Sequence, residues 1–143
     1  MPIAPPARAR IVLASDPKAV RDALIRLFAM PPLRDLSPDG RGTAEIVLAE
    51  ALNNVVEHAY AQFGGVIEVT LDYEHPNLSC EVVDSGLPMP GGRLPNGTPI
   101  PLDGQHDLPE GGFGWFLIRS LTRTMVYRHS GGRNTLAFRL EAE

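Results

Sequence analysis

The segment 49–60 has the sequence AEALNNVVEHAY, which predicts a helix with two distinct faces. Apolar residues recur every three or four positions on the first face and are expected to face a core: Leu48, Leu52, Val55 and Ala59. Glu50, Asn54 and His58 follow at intervals of four and share the second face. A carboxylate one turn from a carboxamide suits a hydrated Mg²⁺ beside a general base. A solvated polar face is the simpler interpretation of this motif taken alone.

The elements on either side of this helix alternate between the helical period and the period of two that marks strands. Their predicted order is β-α-α-β-β-loop-α-β-β, with strands that meet by hairpins. We therefore expect an α+β fold, a two-layer sandwich with a mostly antiparallel sheet and helices on one face. The predicted strands are 8–13, 67–73, 78–84, 125–129 and 135–140. The first predicted helix is capped by Ser15 and ended by Pro31, the second begins at Ser37 and ends at Tyr60, and the third is 113–121.

Composition and charge exclude several classes of protein. The chain has 143 residues, a formal net charge of −4 and no run of Lys and Arg, which argues against direct nucleic-acid binding. It has no Walker A sequence, and its lone cysteine, Cys80, cannot form an internal disulfide. No apolar run approaches the length of a membrane span, and residues 1–7 lack the pattern of a signal peptide. The sequence predicts one cytoplasmic domain, 1–143, with the Pro-rich residues 1–7 frayed.

A second candidate motif lies at the end of the predicted strand 78–84, where Asp84 is followed by Ser85 and Gly86. An Asp at a strand end can point its carboxylate into a pocket while the glycine turns the backbone away. Such a carboxylate accepts a hydrogen bond from an exocyclic amine, for example that of adenine. An ordinary Asp turn is the alternative interpretation.

A third candidate motif, Gly112-Phe113-Gly114, directly precedes a predicted helix. Glycines at this place let backbone N–H groups approach a phosphate, and the N-terminus of a helix favours an anion. A flexible hinge explains the same glycines. Half of the chain's 14 Gly and 14 Pro lie between this motif and the preceding one, from Gly86 to Gly114. The sequence therefore predicts one long irregular segment between the two motifs.

The three motifs in this order resemble the GHKL (Bergerat-type) ATP-binding superfamily. Within it, the chain is most similar to the anti-sigma factor serine kinases of bacteria, the RsbW/SpoIIAB type. The resemblance covers about residues 10–141, and the stretch GGRNTL at 131–136 is itself typical of this subgroup. It implies a Bergerat-type sandwich in which residues 87–111 form the ATP lid.

The resemblance also implies a role for each matching residue. Glu50 would be the catalytic base, and Asn54 would be the ligand of the Mg²⁺ that accompanies ATP. Asp84 would accept from the amino group of adenine. The other positions implied for cofactor binding are Gly86 beneath the base, Gly112 and Gly114 on the phosphate side, and Thr135 on the adenine side.

The function implied by the resemblance is that of an ATP-dependent serine protein kinase and anti-sigma factor, acting as a homodimer. It would phosphorylate a STAS-domain anti-anti-sigma protein and sequester an alternative sigma factor. Pro88, Glu57 and Arg123 depart from the family pattern, which leaves open a nucleotide-binding module that acts by sequestration alone. A detached catalytic domain of a sensor histidine kinase is a third hypothesis, against which stands the lack of a phospho-accepting His helix before the motifs.

Overall fold

The computed structural model of the chain describes residues 4–60, 64–89 and 112–143. Five strands and three α-helices make up the described part. In chain order they are β1 (Ala7–Ala14), α1 (Pro17–Phe28), α2 (Pro38–Asn54), β2 (Val66–Glu74), β3 (Asn77–Asp84), α3 (Gly112–Leu121), β4 (Thr124–Ser130) and β5 (Arg133–Glu141). A short 3₁₀ turn, Leu33–Asp35, precedes α2, and a π-helical turn, Val55–Ala59, continues it.

The strands form one antiparallel sheet in the order β1-β2-β3-β5-β4. Side chains alternate across a strand, so each strand offers every second residue to one face. One face packs with the helices in a single core, which includes Ile11, Leu13, Ile67, Val69, Leu71, Leu78, Val82, Leu136, Leu140 and Ile118 of α3. The predicted α+β sandwich with its helices on one face is confirmed. Among the described residues, no helix has the length and apolar character needed to cross a membrane.

The helix starts follow the usual capping chemistry, with one correction to the predicted boundary. Ser37 caps α2, because its Oγ accepts from the backbone N–H of Gly40 at 3.2 Å. The prediction of Ser15 as the cap of α1 is wrong: Oδ1 of Asp16 accepts from the N–H of Ala19 at 2.8 Å. Ser15 instead contacts the residue before β2, since its Oγ accepts from the N–H of Gly65 at 3.0 Å. The strand β1 also begins at Ala7, inside the segment expected to be frayed.

The apolar face predicted for the second helix is buried along its whole length. Leu48 and Leu52 are fully buried, and Val55 and Ala59 are nearly so. Complete burial of a leucine side chain contributes about 1.5–3 kcal/mol relative to exposure. The spacing of these residues therefore placed the helix against the sheet, and the opposite face carries the candidate chemistry.

The end of this helix departs from α geometry, and the departure connects it to β3. In the π-helical turn the N–H of Tyr60 donates to the carbonyl of Val55, five residues earlier, at 3.2 Å. The carbonyl of Ala59 accepts from the N–H of Leu87, beyond the end of β3, at 2.8 Å. Gly86 makes this approach possible, because a Cβ there would overlap the Ala59 carbonyl oxygen and lie 2.9 Å from the Ala59 Cβ.

We expect Gly86→Ala to lower the free energy of unfolding by about 1–3 kcal/mol, since the added methyl group displaces backbone. Gly42→Ala is the matched control, because Gly42 is exposed in α2 and a Cβ there meets nothing within 4 Å. This control should gain about 0.5–1 kcal/mol from the better helix propensity of alanine. Urea unfolding of both variants checks the expectation, and wild-type stability for Gly86→Ala would contradict it.

Candidate functional site

Asn54 is the last residue of α2, and its side chain is an unusual one for a buried position. It is 6% exposed, and its Nδ2 has no hydrogen-bond partner among the described residues. An unpaired buried polar group costs about 1–3 kcal/mol, so we expect a partner from a ligand or from outside the described residues to complete it. Rotation of the carboxamide by half a turn exchanges Nδ2 and Oδ1. The position therefore fits either a phosphate oxygen, through Nδ2, or Mg²⁺, through Oδ1.

Glu50 lies one α-helical turn before Asn54 and is partly buried. Both residues belong to the regular part of the helix, so they share one face as predicted. His58 lies in the π-helical turn and is exposed, whereas Asn54 is buried. The larger number of residues per turn there breaks the α-helical spacing between Asn54 and His58. The three-residue face expected from the sequence is reduced to Glu50 and Asn54.

Asp84 ends β3 and is 6% exposed. Its Oδ1 accepts two hydrogen bonds, from the N–H of Gly86 at 2.9 Å and from Nδ2 of Asn134 at 2.7 Å. The second oxygen, Oδ2, has no hydrogen-bond partner among the described residues. Within the described part of the chain, Asp84 thus has one acceptor occupied by the protein and one open to a donor on a ligand.

Burial raises the pKa of Asp84 above its ordinary value, because water stabilises a carboxylate better than the protein interior does. Three groups oppose this effect and lower the pKa in part: Asn134 first, then the N–H of Gly86 and the ring of His129. The net direction is upward. The fold thus holds this carboxylate in surroundings that do not favour its charge, which is typical of a functional group rather than a structural one.

Asn134 is a site residue that the sequence analysis missed. It is 2% exposed on β5, and its Oδ1 accepts from the hydroxyl of Tyr127 at 2.9 Å and from Nδ1 of His129 at 2.6 Å. Its Nδ2 also contacts the carbonyl oxygens of Gly86 and Leu87, at 3.1 and 3.2 Å. The signal that could have found it is the strand register, which places Asn134 directly opposite Asp84.

Thr135, the residue implied for a contact on the adenine side, is not brought to Asp84. It pairs with Val83, while Asn134 pairs with Asp84. Neighbouring side chains of a strand point to opposite faces, so Thr135 lies on the face of the sheet away from the helices. Asn134 is therefore the β5 residue that contacts Asp84, and the contact of Thr135 with a ligand stays a prediction.

Two tyrosines hold the backbone that follows Asp84, and neither was singled out from the sequence. The hydroxyl of Tyr60 accepts from the N–H of Ser85 at 2.7 Å and donates to the carbonyl of Val66 at 2.9 Å. The hydroxyl of Tyr127 accepts from the N–H of Met89 at 2.9 Å. The turn 85–89 is thus fixed from both sides before the chain leaves the described region.

Gly112 begins α3, one residue before the predicted start of the helix, and Gly114 lies in its first turn. Backbone N–H groups in the first turn of a helix have no partner inside the helix, so they keep their capacity to bind an anion. Of the segment expected to form the ATP lid, 87–111, only residues 87–89 are described, and 90–111 lie outside the described residues.

Comparison with known proteins gives consistent similarities. The family model for the histidine kinase-like ATPase domain matches residues 13–140. The serine-protein kinase RsbW of Halalkalibacterium halodurans is 34% identical over 93 residues, covering 62% of this chain and 55% of that protein. RsbW of Bacillus cereus strain AH187 is 29% identical over 97 residues, covering 64% and 59%. The chain therefore spans little more than half the length of the curated relatives it matches.

A solved structure supports the same fold. The crystal structure of the RsbU and RsbW domains of a Mycobacterium tuberculosis protein superposes with a TM-score of 0.62 at 17% identity. The match covers 96% of this chain and 33% of that one. At this identity the likeness concerns the fold alone.

The raised pKa of Asp84 leads to a prediction about stability and pH. Between the ordinary carboxyl pKa and the raised value, the folded state binds more protons at Asp84 than the unfolded state does, so stability falls as pH rises through that range. Asp84→Asn removes this loss. We expect Asp84→Asn to be more stable relative to wild type at pH 7 than at pH 4, that is, to have the larger difference in free energy of unfolding at pH 7. Urea unfolding without nucleotide measures it, and a relative stability that decreases toward pH 7 would refute it.

Proposed function

This chain belongs to the histidine kinase-like ATPase domain family, and from that premise we propose that it is an ATP-dependent serine protein kinase. The observation that carries the proposal is the buried carboxamide of Asn54, unpartnered among the described residues and one turn after Glu50. Oδ2 of Asp84, which has no hydrogen-bond partner among the described residues, supports the same proposal. The similarity to proteins named serine-protein kinase RsbW supports the choice of a protein serine as substrate.

Each residue has a separate task in the proposed mechanism. Asp84 accepts from the exocyclic amine of adenine, and Asn54 would hold Mg²⁺ through its carboxamide oxygen. The metal, when bound, supplies charge neutralisation at the phosphates. Glu50 orients the attacking serine hydroxyl and receives its proton as the oxygen bonds to the γ-phosphorus and the bond to ADP breaks. Backbone N–H groups at Gly112 and Gly114 bind phosphate oxygens.

The proposed partners follow from the resemblance to the anti-sigma factor kinases. The phosphorylated protein is a STAS-domain anti-anti-sigma factor, and the sequestered protein is an alternative sigma factor. The setting is the cytoplasm, and the working form is a homodimer. A module that acts by sequestration alone is the second candidate, because Pro88 and Glu57 are exposed beside the site and depart from the family pattern.

Glu50→Ala should slow phosphoryl transfer by about 10²–10⁴-fold, the usual contribution of a general base, while the affinity for ATP stays within about threefold. Glu45→Ala is the control, since Glu45 is an exposed carboxylate on the same helix. Mass spectrometry of a STAS-domain partner incubated with Mg²⁺ and ATP measures the transfer. Undiminished transfer by Glu50→Ala would contradict the role, and a wild type that binds ATP without transfer would favour the sequestration module.

Asn54→Leu should separate ligand binding from stability. Replacing the unpaired carboxamide with an apolar side chain of similar size should raise the unfolding free energy by about 1–3 kcal/mol. The Mg²⁺ dependence of ATP binding, measured by titration calorimetry with and without EDTA, should be lost. Asn53→Leu, one residue earlier and partly buried, is the control and should keep that dependence. An unchanged Mg²⁺ dependence in Asn54→Leu would remove Asn54 from the metal site.

A further inference from the structure

The hydrogen bonds around Asn134 have one consistent direction. The N–H of Met89 donates to the hydroxyl oxygen of Tyr127, and that hydroxyl donates to Oδ1 of Asn134. Nδ2 of Asn134 then donates to Oδ1 of Asp84. Nδ2 of Asn134 faces only acceptors, so Oδ1 of Asn134 is the atom that faces the donors. Nδ1 of His129 lies 2.6 Å from this Oδ1 and therefore carries a hydrogen, which it donates to it. The carboxamide of Asn134 is therefore fixed in a single orientation.

This arrangement uses the whole hydrogen-bonding capacity of Asn134 inside the protein. Its oxygen has two donors, from Tyr127 and His129, and its two N–H groups face three acceptors. Asn134 thus contributes no group of its own to a ligand. Its effect reaches a ligand only through Asp84, whose Oδ1 it occupies and whose Oδ2 it leaves free.

A free carboxylate oxygen discriminates between purines at position 6. A 6-amino purine presents a donor there and pairs with it, whereas a 6-oxo purine presents a carbonyl oxygen and sets acceptor against acceptor. We propose that Asn134 is a specificity-determining residue, which keeps Asp84 an acceptor and so makes the site select 6-amino over 6-oxo purine nucleotides. This inference rests on the nucleotide site of the proposed function and adds the residue that sets its selectivity.

The surroundings of Asp84 explain why such a residue is needed. A buried carboxylate that gains a proton becomes a donor, and a protonated Asp84 would pair with a 6-oxo purine. Burial raises the pKa of Asp84, and the hydrogen bond from Asn134 is the largest of the effects that lower it. The other titratable groups nearby are His129 and Tyr127 on β4, with Tyr60 bonded to the next residue. Among the described residues, Asn134 supplies the side-chain hydrogen bond to the carboxylate, beside the backbone N–H of Gly86.

The test compares the affinities of wild type and Asn134→Leu for ATP and for ITP, which carries oxygen at position 6. Calorimetry at pH 6 and pH 8 gives the ratio of the two dissociation constants. Wild type should bind ATP at least about tenfold more tightly than ITP, as expected for a hydrogen bond to a charged group. In Asn134→Leu the ratio should fall at least about fivefold at pH 6, with a smaller fall at pH 8. Thr124→Val, at an exposed position of the same hairpin and outside the site, should leave it unchanged.

A purely structural role for Asn134 has a different signature. If Asn134→Leu raises the dissociation constants of ATP and ITP by the same factor at both pH values, the proposed selectivity role is overturned. Should that variant fail to fold, Tyr127→Phe replaces it. This change removes the hydrogen bond from the Tyr127 hydroxyl to Oδ1 of Asn134 and keeps the carboxamide itself. The ratio should then fall about two- to threefold at pH 6, and an unchanged ratio would again overturn the role. Failure of wild type to bind ATP would contradict the proposed function itself, a separate result.

Discussion

The candidate site depends on one hydrogen bond, from the N–H of Leu87 to the carbonyl of Ala59. It joins the end of the helix that carries Glu50 and Asn54 to the end of the strand that carries Asp84. Two local features permit it: the π-helical turn Val55–Ala59 and the missing side chain at Gly86. A regular α-helix, or any side chain at Gly86, would move the two halves of the site apart.

Two residues at the site lower the stability of the fold, which indicates that they serve a function. Asn54 is buried without a partner for its Nδ2 among the described residues, and Asp84 holds a carboxylate where burial opposes its charge. The core beneath them is made of fully buried aliphatic side chains such as Leu48 and Leu52. That core offsets the cost of about 1–3 kcal/mol for each unsatisfied group.

The sequence was sufficient for the elements and for part of the site. Periodicity located every strand and helix of the described part to within a few residues, because one buried face dictates the spacing of apolar residues. Asp16 rather than Ser15 caps α1, since either residue can cap and only the contact with Gly65 decides between them. The π-helical turn could not be predicted, because five residues are too few for a change in the period of apolar residues to be visible in the sequence. The contact of Asn134 with Asp84 was missed because facing depends on pairing across the sheet, which one strand alone does not specify.

The hairpin of β4 and β5 has a consequence for the order of assembly. Its turn contains Gly131 and Gly132 with φ of 60° and 76°, values that match the twist of adjacent strands and favour early, local pairing. Tyr127, His129 and Asn134 all lie on this hairpin, so their contacts need no distant part of the chain. Asp84 meets them only through the pairing of β3 with β5, which closes a long loop. We therefore expect the hairpin to pair before β3 joins it, because the first pairing is local and the second carries the entropic cost of closing the long loop.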